Sequence, residues 1–161
     1  MKIAIIPGSF DPATFGHVDV IYRASKIFDK VYPVILVNAE KTGMFTPEER
    51  LKILTSACRN IKNVECSLFE GLTSDFAKNV GAGFIVKGAR NAIDFEYEMG
   101  LSQIMKKFDE RLETVILPSS PVLSYVSSTY AREKIRHFCD ISDIADETTA
   151  NLIMNIRSDN R

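Results

Sequence analysis

Short apolar runs alternate along the chain with longer stretches in which apolar residues recur every three or four positions. The first run, about Lys2–Ile6, is rich in β-branched residues and predicts a buried strand. A turn cluster of Pro, Gly, Ser, Asp and Pro follows, and from about Gly16 to Phe28 the apolar spacing is helical. A strand, a glycine-containing turn and a helix N-terminus together favour phosphate binding, because free backbone N–H groups and the helix dipole face the anion.

Four more apolar runs predict strands, and helical periodicity fills the segments between them. The strands are expected at Val31–Val37, Asn63–Phe69, Gly83–Gly88 and Glu113–Leu117. Helices are expected at about Pro47–Arg59, Thr73–Val80, Asp94–Phe108, from Ser127-Ser128-Thr129 onward, and at about Asp146–Arg157. Thr46 and Glu49 around Pro47 fit a capping box. One apolar stripe of the fourth helix is expected to face the core; it comprises Ile93, Tyr97, Leu101, Ile104, Met105 and Phe108.

Five strands alternating with helices predict an α/β fold. We expect a doubly wound, Rossmann-like five-stranded parallel sheet with helices on both faces and further helices appended at the C-terminus. The chain has no internal repeat, low-complexity tract or linker, so residues 1–161 are expected to form a single domain. Ligands of such sheets bind at the carboxyl ends of the strands, where the loops after strands one, two, four and five converge.

The composition excludes several classes of protein. A net charge of −1 gives no general electrostatic case for nucleic-acid or membrane binding, so any anion site must be local. No apolar stretch reaches membrane-spanning length, and Met1-Lys2 leads straight into a strand, so no signal peptide and a cytoplasmic location are expected. The cysteines Cys58, Cys66 and Cys139 are scattered and odd in number, which argues against a disulfide framework and a zinc site.

The turn after the first strand carries the most specific motif. Gly8-Ser9-Phe10-Asp11-Pro12 is followed by Thr14-x-Gly16-His17, which puts a hydroxyl and an imidazole on one helical face. On these residues the chain resembles the nucleotidyltransferases that carry an H-x-G-H or T-x-G-H signature, and within them the bacterial phosphopantetheine adenylyltransferases. The resemblance is colinear from Ile3 to about Asp143. An isolated histidine more often only caps or packs a helix, but this context favours a functional His17.

Later motifs extend the resemblance. Lys87-Gly88-Ala89-Arg90 follows the fourth strand, where the family usually has Arg-Gly-x-Arg, so Lys87 keeps the charge but loses the bidentate grip. Asp94–Glu98 resembles the family's D-[FY]-E-Y-E stretch, and Val126–Thr129 is close to its I-S-S-[ST] pattern. Leu123 stands where an aromatic residue is common, and Cys139 stands where glycine is usual. These departures are expected to alter affinity or regulation more than reaction type.

The resemblance implies transfer of AMP from ATP to 4′-phosphopantetheine, giving dephospho-coenzyme A and pyrophosphate. It implies His17 as a hydrogen-bond donor to the α-phosphate in the transition state, with Lys41 and Arg90 as the other catalytic residues. The implied ATP-binding residues are Ser9, Phe10, His17, Gly88, Ala89, Arg90, Glu98, Leu123, Ser124, Tyr125, Val126, Ser127, Ser128 and Thr129. The implied residues for the acceptor substrate are Ser9, Lys41, Thr73 and Lys87. From spacing alone, Glu98 is an exposed helix carboxylate and Tyr97 a core residue.

Magnesium is expected to arrive with ATP, because no carboxylate cluster has metal-ligand spacing. The resemblance also suggests a homohexamer and feedback inhibition by coenzyme A. From the net charge, no nucleic-acid or membrane partner is expected.

Two alternatives stay open. The first is another T-x-G-H nucleotidyltransferase, acting on nicotinamide mononucleotide or on glycerol 3-phosphate with CTP. The second is a non-catalytic module that only binds adenine nucleotides. A nicotinamide-dependent dehydrogenase is disfavoured, since Gly81-Ala82-Gly83 precedes a predicted strand and is therefore no dinucleotide fingerprint.

Overall fold

The computed structural model describes residues 1–37 and 42–160. Within these residues the strands are β1 (Ile3–Gly8), β2 (Lys30–Val37), β3 (Ser67–Glu70), β4 (Phe84–Ala89) and β5 (Glu113–Pro118). The helices are α1 (Phe15–Ser25), α2 (Pro47–Cys58), α3 (Thr73–Val80), α4 (Ala92–Phe108), α5 (Ser128–Arg136) and α6 (Glu147–Asp159). A single 3₁₀ turn at Pro121–Leu123 lies between β5 and α5.

The described strands form one parallel sheet in the order β3-β2-β1-β4-β5, which confirms the predicted Rossmann-like α/β fold. In the register of the sheet, Ile3 lies opposite Lys30 of β2 and Ile5 opposite Ile85 of β4. The chain winds outward from β1 through β2 and β3, and then returns to place β4 on the other side of β1. The carboxyl ends of β1 and β4 therefore flank the switch point, where such sheets bind their ligands.

Helices cover both faces of the sheet, because successive residues of each strand point to opposite sides. Ala4 and Ile6 of β1 belong to the larger core, together with Ile21 of α1 and residues of α2, α5 and α6. Ile5, between them, belongs to a smaller core with Phe76 of α3. The alternation of β1 thus assigns α1 and α2 to one face and α3 to the other.

Most element boundaries agree with the sequence pattern. α3 has the predicted bounds, and α2 begins with the predicted capping box, in which the Glu49 N–H donates to Thr46 Oγ1 at 3.2 Å and the Thr46 N–H donates to Glu49 Oε2 at 2.8 Å. β3 is shorter than predicted, since it starts at Ser67 and Val64 makes only an isolated bridge to Val31. α4 starts two residues earlier, because Asn91 caps it.

The predicted burial of the α4 stripe is wrong for its outer members. No residue of α4 is buried, and the exposed fractions are 77% for Ile93, 66% for Tyr97, 50% for Ile104 and 49% for Phe108. Leu101 and Met105 of the stripe are only half-buried. Periodicity identifies an apolar face but not what covers it, and within one described chain little packs on this face.

Cys58, Cys66 and Cys139 are free thiols. No helix in the described ranges is both long and apolar enough to cross a membrane.

Candidate active site

A cavity of about 530 Å³ opens at the carboxyl ends of β1 and β4. It lies at the predicted switch point, between the turn after β1, the start of α4 and the N-termini of α1 and α5. Twelve of the residues expected to contact ATP or the acceptor line it: Ser9, Phe10, His17, Lys87, Gly88, Arg90, Glu98, Leu123, Val126, Ser127, Ser128 and Thr129. The fold therefore gathers motifs that lie more than a hundred residues apart in sequence.

His17 is held by the first turn of α1. Thr14 is the N-cap, and its backbone N–H donates to Nδ1 of His17 at 3.0 Å, while Thr14 Oγ1 lies 3.1 Å from the same nitrogen. Since Nδ1 accepts a hydrogen bond, the ring proton lies on Nε2. The histidine thus caps the helix with one nitrogen and keeps an N–H donor on the other.

The environment of His17 keeps the ring neutral. Burial is the larger cause, and the nearby Arg90 guanidinium adds to it; together they lower the pKa of His17 from 6.5 to about 4. The Phe10 ring meets the imidazole edge-on, with 5.1 Å between ring centroids. At neutral pH, His17 is consequently a neutral hydrogen-bond donor and not a cation.

The turn after β1 depends on close packing around Phe10. This residue is 2% exposed and has a φ of 44°, in the left-handed region that non-glycine residues rarely adopt. A Cβ on Gly8 would lie 2.9 Å from the Phe10 ring, so the ring needs a glycine at that position. The strained turn brings Ser9 to the cavity mouth.

Asp11 joins this turn to the segment before α2. Its carboxylate is buried, accepts the backbone N–H groups of Met44 at 2.8 Å and Phe45 at 3.0 Å, and lies 3.5 Å from Arg50 Nε. Sequence reasoning treated Asp11 as a turn residue, and no local pattern shows partners 33 residues away. The carboxylate fixes the loop after β1 against the approach to α2.

The β4 side of the cavity carries two ion pairs. Lys87 Nζ lies 3.3 Å from Glu98 Oε2, and this buried oxygen accepts no hydrogen bond from the described residues. Arg90 donates through Nε to Asp94 at 2.9 Å and through its backbone N–H at 3.1 Å, which holds the pKa of Asp94 below its usual value. Glu98 therefore keeps an acceptor for a ligand.

The N-terminus of α5 forms the opposite wall. Ser127 is the N-cap, and its hydroxyl accepts the Tyr130 N–H at 3.1 Å. A Cβ on Gly16, in the first turn of α1, would lie 3.5 Å from the Val126 carbonyl oxygen. The first turns of α1 and α5 are thus neighbours, and both can offer backbone N–H groups to one anion.

Several predicted site residues lie elsewhere. Ala89, Ser124, Tyr125 and Thr73 do not line this cavity. Lys41 falls outside the described residues. The binding roles of all these residues stay predictions.

The cavity also includes residues that the site predictions lacked. They are Thr14, Gly16, Val20, Val86, Asp94, Tyr97 and Ser119, besides Ile6, Pro7 and Gly8 of β1. For Thr14 the sequence pattern already placed the hydroxyl on the face of His17, but no binding role was assigned to it. Tyr97 was missed because helical periodicity assigned it to the core. No group of three or more potential metal ligands occurs in the described part of the chain.

Comparisons with known proteins place this site in context. Residues 5–134 match the cytidylyltransferase-like family. A phosphopantetheine adenylyltransferase of Lachnoclostridium phytofermentans is 44% identical over 153 residues, 95% of this chain and 94% of that protein. Those of Caldanaerobacter subterraneus subsp. tengcongensis (38%, covering 96% of both chains) and Clostridium novyi (44%, covering 84% of both) are also similar.

A solved structure shares the fold. It is a Vibrio parahaemolyticus protein described as a nicotinate-nucleotide adenylyltransferase, with a TM-score of 0.75 over 98% of this chain and 94% of that one. At 23% sequence identity, the likeness concerns the fold alone.

Proposed function

This chain belongs to the cytidylyltransferase-like family and, within it, to the phosphopantetheine adenylyltransferases, and on this premise we propose that it transfers AMP from ATP to 4′-phosphopantetheine. The products would be dephospho-coenzyme A and pyrophosphate, in coenzyme A biosynthesis. The observation that carries the proposal is the state of His17: its Nδ1 is occupied by the Thr14 N–H, which leaves a neutral ring with an Nε2–H donor beside two helix N-termini.

The cavity suits the triphosphate of ATP. The N-termini of α1 and α5 face the cavity with the positive ends of their helix dipoles, and Arg90 adds a guanidinium whose Nε is held by Asp94. On the far side, Oε2 of Glu98 forms an ion pair with Lys87 but accepts no hydrogen bond from the described residues, so it can still accept one from an amino group such as that of adenine. We assign the phosphates to the helix N-termini and the base to the side of α4.

The reaction needs positioning and charge stabilisation but no general base. The acceptor's phosphate is already ionised, so one of its oxygens forms a bond to the α-phosphorus while the bond to the bridging oxygen breaks and pyrophosphate leaves. Charge builds on the α-phosphate oxygens, and His17 would stabilise it through Nε2–H. A histidine with a pKa of about 4 is suited to this donor role and not to accepting a proton at neutral pH.

Cations would hold the acceptor. Lys87 lines the cavity near Glu98, and its ammonium can turn from that carboxylate toward a phosphate. Lys41 and Thr73 are proposed for the same substrate on the family pattern. Ser9, at the cavity mouth, would contact both substrates.

Magnesium would enter as the ATP complex and neutralise phosphate charge. Because the described residues contain no cluster of metal ligands, we assign no residue of this chain to the ion.

A homohexamer and inhibition by coenzyme A complete the proposal. The exposed apolar face of α4 supports self-association, since contiguous apolar surface on a protein marks an interaction site. Coenzyme A would compete because it contains both the pantetheine arm and the adenylate of the proposed product.

The substitution His17→Asn tests the catalytic role. Asparagine keeps an acceptor for the Thr14 N–H but loses the Nε2 donor. We expect kcat to fall at least about a hundredfold, with the Kd for ATP within about twofold of wild type, as for other lost transition-state donors. Pyrophosphate release and ATP titration measure the two quantities, and His137→Asn, which changes an exposed histidine, serves as the control.

Loss of ATP affinity with an unchanged kcat would contradict the role given to His17. The same pyrophosphate assay, with each acceptor offered in turn, separates the alternatives. Turnover of nicotinamide mononucleotide, or of glycerol 3-phosphate with CTP, in place of 4′-phosphopantetheine would overturn the proposed acceptor. ATP binding without any turnover would overturn the enzymatic assignment.

A further inference from the structure

A second cavity, of about 500 Å³, lies next to the first and shares Ser9 with it. Four arginines line it: Arg50 of α2, Arg132 and Arg136 of α5, and Arg157 of α6. Among the described residues that line it, Asp11 is the one carboxylate. Four cations facing one anion concentrate positive charge in a chain whose net charge is −1.

Two of these arginines have structural partners. Arg50 pairs with Asp11 at 3.5 Å and donates through Nε to the Phe45 carbonyl at 2.7 Å. Arg132 donates to the Asp11 carbonyl at 2.9 Å and to Thr129 Oγ1 at 3.1 Å. Neither of these partners is a carboxylate, so Arg132 has no ion pair among the residues that the structure describes.

The other two arginines have donors to spare. Arg157 Nε is buried and finds no hydrogen-bond acceptor among residues 1–37 and 42–160. A buried donor without an acceptor is costly and rare in native proteins, which points to a ligand at this position. Arg136 forms an ion pair with Glu133 at 3.1 Å. Its side chain is 55% exposed, so it can leave this pair and turn into the second cavity.

We infer that this second cavity binds a phosphate group, with Arg136 and Arg157 as its main donors. Guanidinium groups match phosphate oxygens through paired N–H donors, and several converging cations favour a multiply charged anion over a single carboxylate. The volume admits a group as large as a diphosphate. The phosphate could belong to a nucleotide whose tail passes Ser9 from the first cavity, or to a separate anion. The inference requires neither AMP transfer nor a particular acceptor.

Calorimetric titration with inorganic pyrophosphate tests the site. We expect wild-type protein to bind pyrophosphate, and Arg157→Gln and Arg136→Gln each to weaken the Kd at least about tenfold. Arg111→Gln is the matched control, since Arg111 is 76% exposed and pairs with Asp109 away from the cavity. Its Kd should stay within about twofold of wild type.

A second titration distinguishes the two sources of phosphate. If the site holds a nucleotide tail, Arg157→Gln weakens ATP binding and leaves AMP binding unchanged. If it holds a separate anion, the variant weakens pyrophosphate binding alone, and saturating ATP fails to displace pyrophosphate from wild type. Either pattern supports a phosphate site.

The inference is overturned if pyrophosphate, ATP and AMP bind both glutamine variants as tightly as wild type. Thermal unfolding checks that each variant folds. If Arg157→Gln fails to fold, two other variants replace it in the test. Arg157→Lys keeps the charge but not the paired donors, and Arg136→Gln changes an exposed position. If the second cavity binds no phosphate, pyrophosphate release by the wild-type enzyme is unaffected. Failure of this inference is therefore distinguishable from failure of the proposed function.

Discussion

The Thr14 backbone N–H decides which nitrogen of His17 carries the proton. Without that 3.0 Å contact, either tautomer could face the cavity. The same contact opposes protonation of the ring, since a proton on Nδ1 would be repelled by the hydrogen of the Thr14 N–H. Capping and the proposed catalytic role are therefore compatible in this residue, because the cap leaves the proton on Nε2 as a donor.

The pH dependence of the His17 ring follows from its burial and from the nearby Arg90 guanidinium. Its pKa of about 4 lies below the ordinary 6.5, so the ring should remain the neutral Nε2–H tautomer from pH 8 to about 5.5 and become charged only near pH 4. Nitrogen-15 NMR of the imidazole measures both tautomer and midpoint. The chain has two histidines, so a spectrum of His137→Asn assigns the signals. A His17 midpoint near 6.5, or an Nδ1–H tautomer, would contradict the donor role.

The boundaries of α2 and α3, and the turn before α1, were predictable because their signals are local. A capping box, a proline at the first helical position and a T-x-G-H turn act within a few residues of one another. Asp11 and α4 were not predictable in this way. The partners of Asp11 are backbone N–H groups at Met44 and Phe45, and the covering of the α4 stripe depends on what packs there. Sequence pattern shows which groups need partners, but not where the fold finds them.

Asp11→Ala should be among the most destabilising single changes at the site. It removes a buried acceptor of two N–H groups and leaves the mostly buried Arg50 without an ion pair, with only the Phe45 carbonyl as an acceptor for its Nε. The loss costs about 3 kcal/mol or more in the free energy of unfolding. Urea unfolding measures the loss. Glu65→Ala is the control: its pair with Lys30 has a 60% exposed carboxylate, so the change should cost at most about 1 kcal/mol. Equal losses in the two variants would show that Asp11 does not join the two loops.

Six large apolar residues of α4 are exposed within the described chain, and the same helix carries Tyr97 and Glu98 of the candidate site. An amphipathic helix with no buried residue gains little from its apolar face within one chain. Burying that face against other copies would recover the hydrophobic stabilisation and hold one wall of the candidate active site rigid. Assembly and catalysis would then depend on the same helix.

Ile104→Glu tests this link. Ile104 is 50% exposed and does not line the cavity, so a glutamate there should leave the single chain folded but place a charge in the proposed contact. We expect wild-type protein to sediment at six times the chain mass and Ile104→Glu to sediment as smaller species, with a raised KM for ATP because the cavity wall loosens. Ile27→Glu, a change at a 53% exposed isoleucine just beyond α1, should alter neither quantity. If wild-type protein sediments as a single 18.1 kDa chain, the assembly is excluded, and the apolar face of α4 would have to be covered by a different partner.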